Sequence, residues 1–427
     1  MQDAPNFARN TIVKISWRLL PLLVVSYLMA YIDRTNIAFA ALTMNKDLGF
    51  SAYVYGWGAG IFFLGYALFE VPSNVILERV GARRWIARIM ITWGIISGLM
   101  ACASGPVSFL TLRFLLGVAE AGFFPGIIFY LAIWFPARYR ARVISTLFLA
   151  VPIANALASV VSGAILEMDG TLGLRGWQWV FILEAFPAVL LAGVVLKWLT
   201  DRPAAATWLS VEERDWLETE LRNERLAIER FGAMTLWQSL TDKRVLVLSM
   251  IYFTGVTAGY GLTFFLPQIV KALGQSNMMT GLLTAVPYVI GAVGLVLWGH
   301  SSDRRNERRW HLIVAMIVAG IGYLGAGWLN GSYWALLAIS IAAIGNNGAR
   351  PSFWPMPSLF LTGPSAAAGI ALINSIGNLG GYVGPFVVGW IKDSTHSFAA
   401  ALYFLAGCAL LSALITFFAV HATDSRA

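Results

Sequence analysis

Charge is what this chain has least of. Asp, Glu, Lys and Arg make up 12% of its 427 residues, against 58% apolar ones, and the mean hydropathy is +0.70. A soluble domain carries about 25% charged residues, so a soluble globular fold is excluded before any motif is read. Cysteine is nearly absent as well: Cys102 and Cys408 both fall in hydrophobic segments, which leaves no disulfide framework and no thiolate metal site. The four histidines form no ligand-spaced pair. With no metal set, no nucleophile–base constellation and no phosphate-cradling loop, the sequence predicts neither an enzyme nor an ATP-driven pump, and no cofactor. No small-residue cleavage site follows the first hydrophobic run. The basic lead of Arg9, Lys14 and Arg18 therefore introduces a true first helix and not a removed signal peptide.

What is present is a series of long apolar runs. No charged residue occurs from Leu48 to Phe69, Ile89 to Leu112, Val143 to Leu166, Leu246 to Val270 or Ala272 to Ser302. Each is as long as the roughly 20 residues that a bilayer-spanning helix needs, or a little longer. Strands would alternate in segments of about 10 residues, so the spanning element is the helix. The predicted fold is an all-α multi-pass membrane protein of twelve transmembrane helices, at 17–40, 53–77, 83–104, 106–134, 143–167, 177–199, 245–270, 278–300, 311–330, 334–361, 367–391 and 398–420.

The one long polar interruption, Thr200 to Arg244, mixes acids and bases at helical spacing (EERDWLETELRNERLAIER) and reads as a solvated linker with an amphipathic helix. It divides the chain into an N-terminal six-helix half (1–199), a linker (200–244) and a C-terminal six-helix half (245–427). A membrane sensor would carry an output domain, and this linker is too short for one. Arginines cluster in alternate loops: Arg79, Arg83, Arg84 and Arg88 after the second span, Arg138, Arg140 and Arg142 after the fourth, and Arg304, Arg305, Arg308 and Arg309 after the eighth. The other loops carry at most one base each. The positive-inside rule then places both termini and the linker in the cytoplasm, and the chain in the cell's inner membrane. This asymmetry accounts for the net charge of +8; bases confined to short loops between spans do not make a nucleic-acid surface. ERVGARR (78–84) and SDRRNERR (302–309) recur at the same place in each half. Such a repeat marks a transporter whose site lies between the repeats near mid-membrane.

These two loop motifs, with AYIDRTNIAFA, GYALFEVPSN, GARRWIARIMITWG, LRFLLGVAEAGFFPG and INSIGNLGGYVGP, resemble the signature segments of the major facilitator superfamily. Within it the chain looks like the anion:cation symporter family, nearest the tartrate-permease branch. The resemblance covers nearly the whole sequence. It implies secondary active transport of an organic anion by alternating access, coupled to protons, with sodium as the rival coupling ion. A monomer in the bilayer is expected.

Charges inside the spans carry the functional reading, because each costs at least about 2.5–3.5 kcal/mol at mid-bilayer. Asp33 and Arg34 lie too deep in the first helix to snorkel. As neighbours they point about 100° apart, so each needs a partner elsewhere. Arg113 and Glu120, on the fourth helix, are spaced to share one face. Two acids and two bases meeting in a cavity suit proton-coupled anion transport. A guanidinium stays charged and grips a carboxylate bidentately, and a buried carboxyl can take up a proton. An interhelical salt bridge is the structural alternative. The resemblance implies the same roles: Arg34 and Arg113 for the anionic substrate or its gating, Asp33 and Glu120 for the proton. It also implies substrate contact for Tyr66 and Asn374, where plain interhelical hydrogen bonding is the alternative. Glu70 and Glu184, close to Pro72 and Pro187, read as structural. In the loops, Glu78, Arg79, Arg83, Asp303 and Arg304 read as latches that pair or cap a helix when the cytoplasmic side is closed. Gly377, Gly380, Gly381 and Gly384, before Pro385, suit close packing, with hinge bending as the alternative.

Arg350 is the only Asp, Glu, Lys or Arg between Leu312 and Ile391. It lies near the middle of the tenth predicted span, flanked by Gly348 and Pro351, where a local helix break is expected. The sugar-acid permeases are expected to have a small or polar residue there. A cation in the second half, facing Arg34 and Arg113, suits a substrate with two separated anionic groups, of tartrate or phthalate type. Pairing with an acid such as Asp33, or capping of freed carbonyls, is the alternative. The sequence thus predicts a proton-coupled importer of an organic carboxylate, with an exporter or anion exchanger of the same fold as runner-up.

Overall fold

The computed structural model describes residues 4–230, 242–357 and 364–420, and no strand occurs among them. The first half comprises α1 (Ala4–Asp47), α2 (Ala52–Val80), α3 (Ala82–Leu99), α4 (Pro106–Glu120), α5 (Phe123–Trp134), α6 (Ala137–Ile165) and α7 (Gly176–Trp198). After α8 (Val211–Arg230) come α9 (Lys243–Lys271), α10 (Asn277–Arg305), α11 (Arg309–Trp328), α12 (Trp334–Phe353), α13 (Pro364–Asn378), α14 (Gly380–Thr395) and α15 (Phe398–Ala419). Among the described residues, eleven helical stretches are long and apolar enough to cross a membrane, α4 with α5 and α13 with α14 each making one. The twelfth span is α12, which falls short in apolarity because it carries Asn346, Asn347 and Arg350. Large apolar side chains face outward along the helices, as Leu68, Phe69, Val71 and Val75 do on α2 and Val286, Val289, Val293 and Leu297 on α10. So much exposed hydrocarbon suits lipid and not water.

One break shapes the interior. Between α4 and α5 the chain turns at Ala121 and at Gly122, whose φ is +84°. A Cβ at Gly122 would also sit 2.3 Å from Ser73 Oγ, so only glycine fits. The break leaves Glu120 as the last residue of α4. The expected break at Arg350, by contrast, does not occur. α12 runs unbroken through Pro351 to Phe353, since a proline there removes a single backbone bond two residues before the helix ends. Arg350 therefore lies in the last turn, not mid-helix, and the expected continuation to 361 passes outside the described residues from 358 onward. The glycines around Pro385 serve packing: Cβ atoms on Gly380 and Gly384 would lie 2.4 Å from the carbonyls of Phe253 and Thr257 on α9.

The two halves are sealed against each other at the end opposite the arginine-rich loops. There α2 meets α14 and α6 meets α10, close enough that a Cβ on Gly56 or Gly281 would sit 2.3 Å from the carbonyl oxygen of Pro385 or Ser159. Small residues let the backbones approach this way. Two carboxylates complete the seal. Asp393 accepts from the Ala52 and Tyr53 amides at 3.0 and 2.8 Å, capping α2, and Glu167 accepts from the Met278 amide at 3.0 Å in the first turn of α10.

At the arginine-loop end, α8 lies against the first half. Leu217 and Leu221 are buried, and the acids clamp bases at the ends of the spans: Glu213 to Lys14 at 2.7 Å, Glu224 to Arg140 at 2.8 Å and Glu220 to Arg138 at 3.7 Å. The linker helix is thus a docked brace.

Candidate transport site

A cavity lies between the halves, walled by α1, α2, α5, α6, α9, α10, α11, α12, α13 and α15. The wall is rich in aromatic side chains, with Tyr27, Tyr31, Phe63, Tyr66, Tyr252 and Tyr260 among the lining residues. Five amides (Asn155, Asn346, Asn347, Asn374 and Asn378) and two guanidiniums, Arg34 and Arg350, supply the polar contacts.

Arg34 is the electrostatic centre. Its Nη2 donates to Glu120 Oε1 in a buried ion pair, and its Nη1 donates to Tyr260 Oη of the other half at 3.2 Å. The guanidinium carbon lies 5.0 to 5.4 Å from the rings of Tyr31, Phe62 and Tyr66, a box that favours a cation. Arg350 also faces the cavity, but its guanidinium has no ion-pair or hydrogen-bond partner among the described residues. One guanidinium is thus held by an acid, and the other is left for whatever enters.

The four charges expected to converge do not all do so. Arg113 is fully buried but off the cavity, its Nε and Nη2 donating to the carbonyls of Gly58 and Ala59 on α2 at 3.1 and 3.4 Å. Asp33 turns the other way, accepting from Trp93 Nε1 at 3.0 Å and Ser97 Oγ at 2.8 Å on α3. It pairs with neither Arg34 nor Arg350. Tyr66 and Asn374 line the cavity, and Asn374 Nδ2 donates to Glu70 Oε1 across the halves at 3.1 Å. The loop residues Glu78, Arg79, Asp303 and Arg304 are exposed. Arg83 bonds to Asp201, and Asp303 pairs with Arg308 five residues along the chain at 2.6 Å. Arg83 thus ties the first half to the linker and Asp303 stays within the second half, so neither contact joins the two halves.

The Major Facilitator Superfamily model matches residues 23–368 and 248–427. This chain belongs to that superfamily. Among its relatives, a "Putative tartrate transporter" of Agrobacterium vitis is 53% identical over 94% of this chain and 93% of its own length. A "Quinolone resistance transporter" of Acinetobacter baumannii is 44% identical over 96% and 95%, and the inner membrane transport protein RhmT of Escherichia coli 39% over 94% and 93%. Among solved structures, the xylose transporter XylE of E. coli in an inward-open conformation superposes with a TM-score of 0.74 at 15% identity, covering 95% of this chain and 96% of that one. The fold of this facilitator is that of a transporter, not of an enzyme.

Sequence reasoning passed over part of the wall. Asn346 and Asn347 in an otherwise apolar span were a legible signal, since paired amides are costly in lipid. Tyr31, Tyr252 and Tyr260 were not, because a tyrosine in a span reads the same at the cavity and at the lipid interface. Nearness to Pro72 gives Glu70 a structural reading in the sequence, yet it reaches across to the second half.

Proposed function

We propose that this facilitator is a proton-coupled symporter that imports an organic carboxylate anion, of dicarboxylate or hydroxy-acid type such as tartrate. It would sit in the inner membrane with its arginine-rich loops, termini and linker in the cytoplasm. The observation that carries the reading is the pair of guanidiniums, Arg34 and Arg350, facing one aromatic cavity from opposite halves. Each can hold one carboxylate of a dianion, and the surrounding amides can donate to hydroxyl or carboxylate oxygens. Glu120 supplies the coupling. While ionised it occupies Arg34; once protonated it releases the guanidinium to the substrate. The name carried by the Agrobacterium relatives supports the same substrate class. A second reading, export of an aromatic compound, draws on the quinolone transporter's name and on the aromatic wall.

Uptake into liposomes under an imposed pH gradient tests both. Wild type is expected to accumulate tartrate when the inside is alkaline, and Glu120→Gln to lose accumulation while keeping exchange. Arg350→Gln should lose the dicarboxylate selectively over its monocarboxylate analogue. Equal loss of both substrates, or of neither, would rule out the paired-guanidinium grip. Proton-driven efflux of a quinolone without tartrate uptake would favour the exporter.

A further inference from the structure

Resting on that reading, we infer that Glu70 is a second proton carrier, one that lets the cavity accept a dianion without net charge. Glu70 lies on α2 one turn beyond the cavity-lining Tyr66 and is buried. Its Oε1 accepts from Asn374 Nδ2 of α13, while its Oε2, also buried, has no hydrogen-bond partner among the described residues. A carboxyl half-satisfied inside a span is expensive to keep, and such residues mark ion or proton pathways. Few titratable or charged groups face it. Arg34 comes from α1, Tyr66 from its own helix and Tyr252 from α9, and Asn374 of α13 is uncharged.

The charge inventory gives the role. With the carboxyls ionised, Arg34 and Glu120 cancel, and Arg350 and Glu70 add one charge of each sign, so by count the empty site is neutral. A dianion would leave it at −2. Protonating Glu120 frees Arg34, and protonating Glu70 removes the remaining excess charge. The same second proton weakens the acceptor that holds Asn374, turning that amide toward the substrate. Each carboxylate takes up one proton from the outer water and releases it inside with the substrate. Two protons therefore accompany one dianion, and the cycle moves no net charge.

The test is the voltage dependence of tartrate accumulation in liposomes at a fixed pH gradient. Wild type is expected to be indifferent to membrane potential. Glu70→Gln keeps an acceptor for Asn374 but cannot carry a proton, so its cycle imports one net negative charge. Its accumulation should fall about 50-fold when the potential is set to about 100 mV inside-negative, the equivalent of one charge crossing. Asn374→Ala, which removes the bond and leaves the carboxyl, should remain voltage-indifferent. If Glu70→Gln is as indifferent as wild type, or if Asn374→Ala matches it in voltage sensitivity, the second-carrier role is overturned and a structural bond remains. Should Glu70→Gln insert poorly, Glu70→Asp, which can still be protonated, must restore voltage-indifferent uptake, and voltage-sensitive uptake by it also overturns the role. Wild type that shows no proton-driven tartrate uptake at all would overturn the symporter reading itself, a result distinct from either.

Discussion

Arg34 and Arg113 carry the same guanidinium and lie 5.2 and 5.1 Å from the same ring, Phe62, yet only Arg34 reaches the cavity. The difference comes from what each can bond. Arg34 meets a carboxylate and a tyrosine hydroxyl, partners that protonation or substrate can replace. Arg113 meets backbone carbonyls of α2, which nothing in a transport cycle exchanges. The two alanine variants should therefore separate. Arg34→Ala loses a charged hydrogen bond worth about 1.5–3 kcal/mol, and the substrate Kd should rise roughly tenfold to more than a hundredfold. Arg113→Ala should leave Kd nearly unchanged and lower the Tm of the purified carrier, and Arg113→Lys should recover only part of that loss, since an ammonium lacks the fork. Ligand binding measured by calorimetry beside a thermal melt decides it. A large Kd change for Arg113→Ala would return that residue to the substrate site. None of this partner choice was legible in the sequence. Spacing put Arg113 and Glu120 on one face, but which neighbour a buried charge meets depends on how α1, α2 and α4 are rotated about their axes. The glycine break at 122 sets part of that rotation.

At the scale of elements the sequence was more informative, because a span is fixed by a local quantity, the length of a charge-free run. The runs from Leu48, Ile89, Val143, Leu246 and Ala272 all lie within or across helices of the structure. Where a span carried polar residues, as α12 does, length alone misplaced Arg350 relative to the helix end. The linker helix was legible in its spacing but not in its docking, since EERDWLETELRNERLAIER looks solvated all round until Lys14, Arg138 and Arg140 are brought beneath it. Glu213 reports that docking. Burial pushes its carboxyl up, but the bonds from Lys14 and the Ser210 amide outweigh this and hold it below the ordinary glutamate value. A lowered folded value stabilises docking above the unfolded value, and the contribution is lost as pH falls through the folded one. Protection of the α8 amides from hydrogen exchange, taken relative to the intrinsic rate at each pH, should accordingly be flat from neutral to mildly acidic pH and fall only below the usual glutamate range. Glu213→Gln should quicken exchange at neutral pH by up to about fivefold, the ceiling for a single exposed pair, and should flatten the acid transition. An acid transition that survives Glu213→Gln would assign the docking to Glu220 and Glu224.

The whole molecule repeats one device at its sealed end. α2 and α10 are the second spans of their halves, and each has its N-terminus held by a carboxylate from the other half, Asp393 at the end of α14 and Glu167 just after α6. The twofold relation of the halves, read in sequence from the arginine loops, thus reappears on the face where no motif announced it. Short polar caps are common at helix starts and leave no distinctive pattern. Both contacts must break for that face to open, since donors and acceptors belong to opposite halves. Loss of a capping carboxylate costs about 0.5–2 kcal/mol, so Asp393→Ala with Glu167→Ala should shift the balance between the two access states at least about fivefold toward the one open at this end. Spin labels on Val107 and Trp334, exposed residues near this face in the two halves, would report it after Cys102 and Cys408 are replaced. The distance distribution should gain a longer component in the double variant. Each single variant should lie between it and wild type. A distribution identical to wild type would leave the seal to the glycine contacts at Gly56 and Gly281, and substituting leucine for either glycine should then open the face where the carboxylates had not.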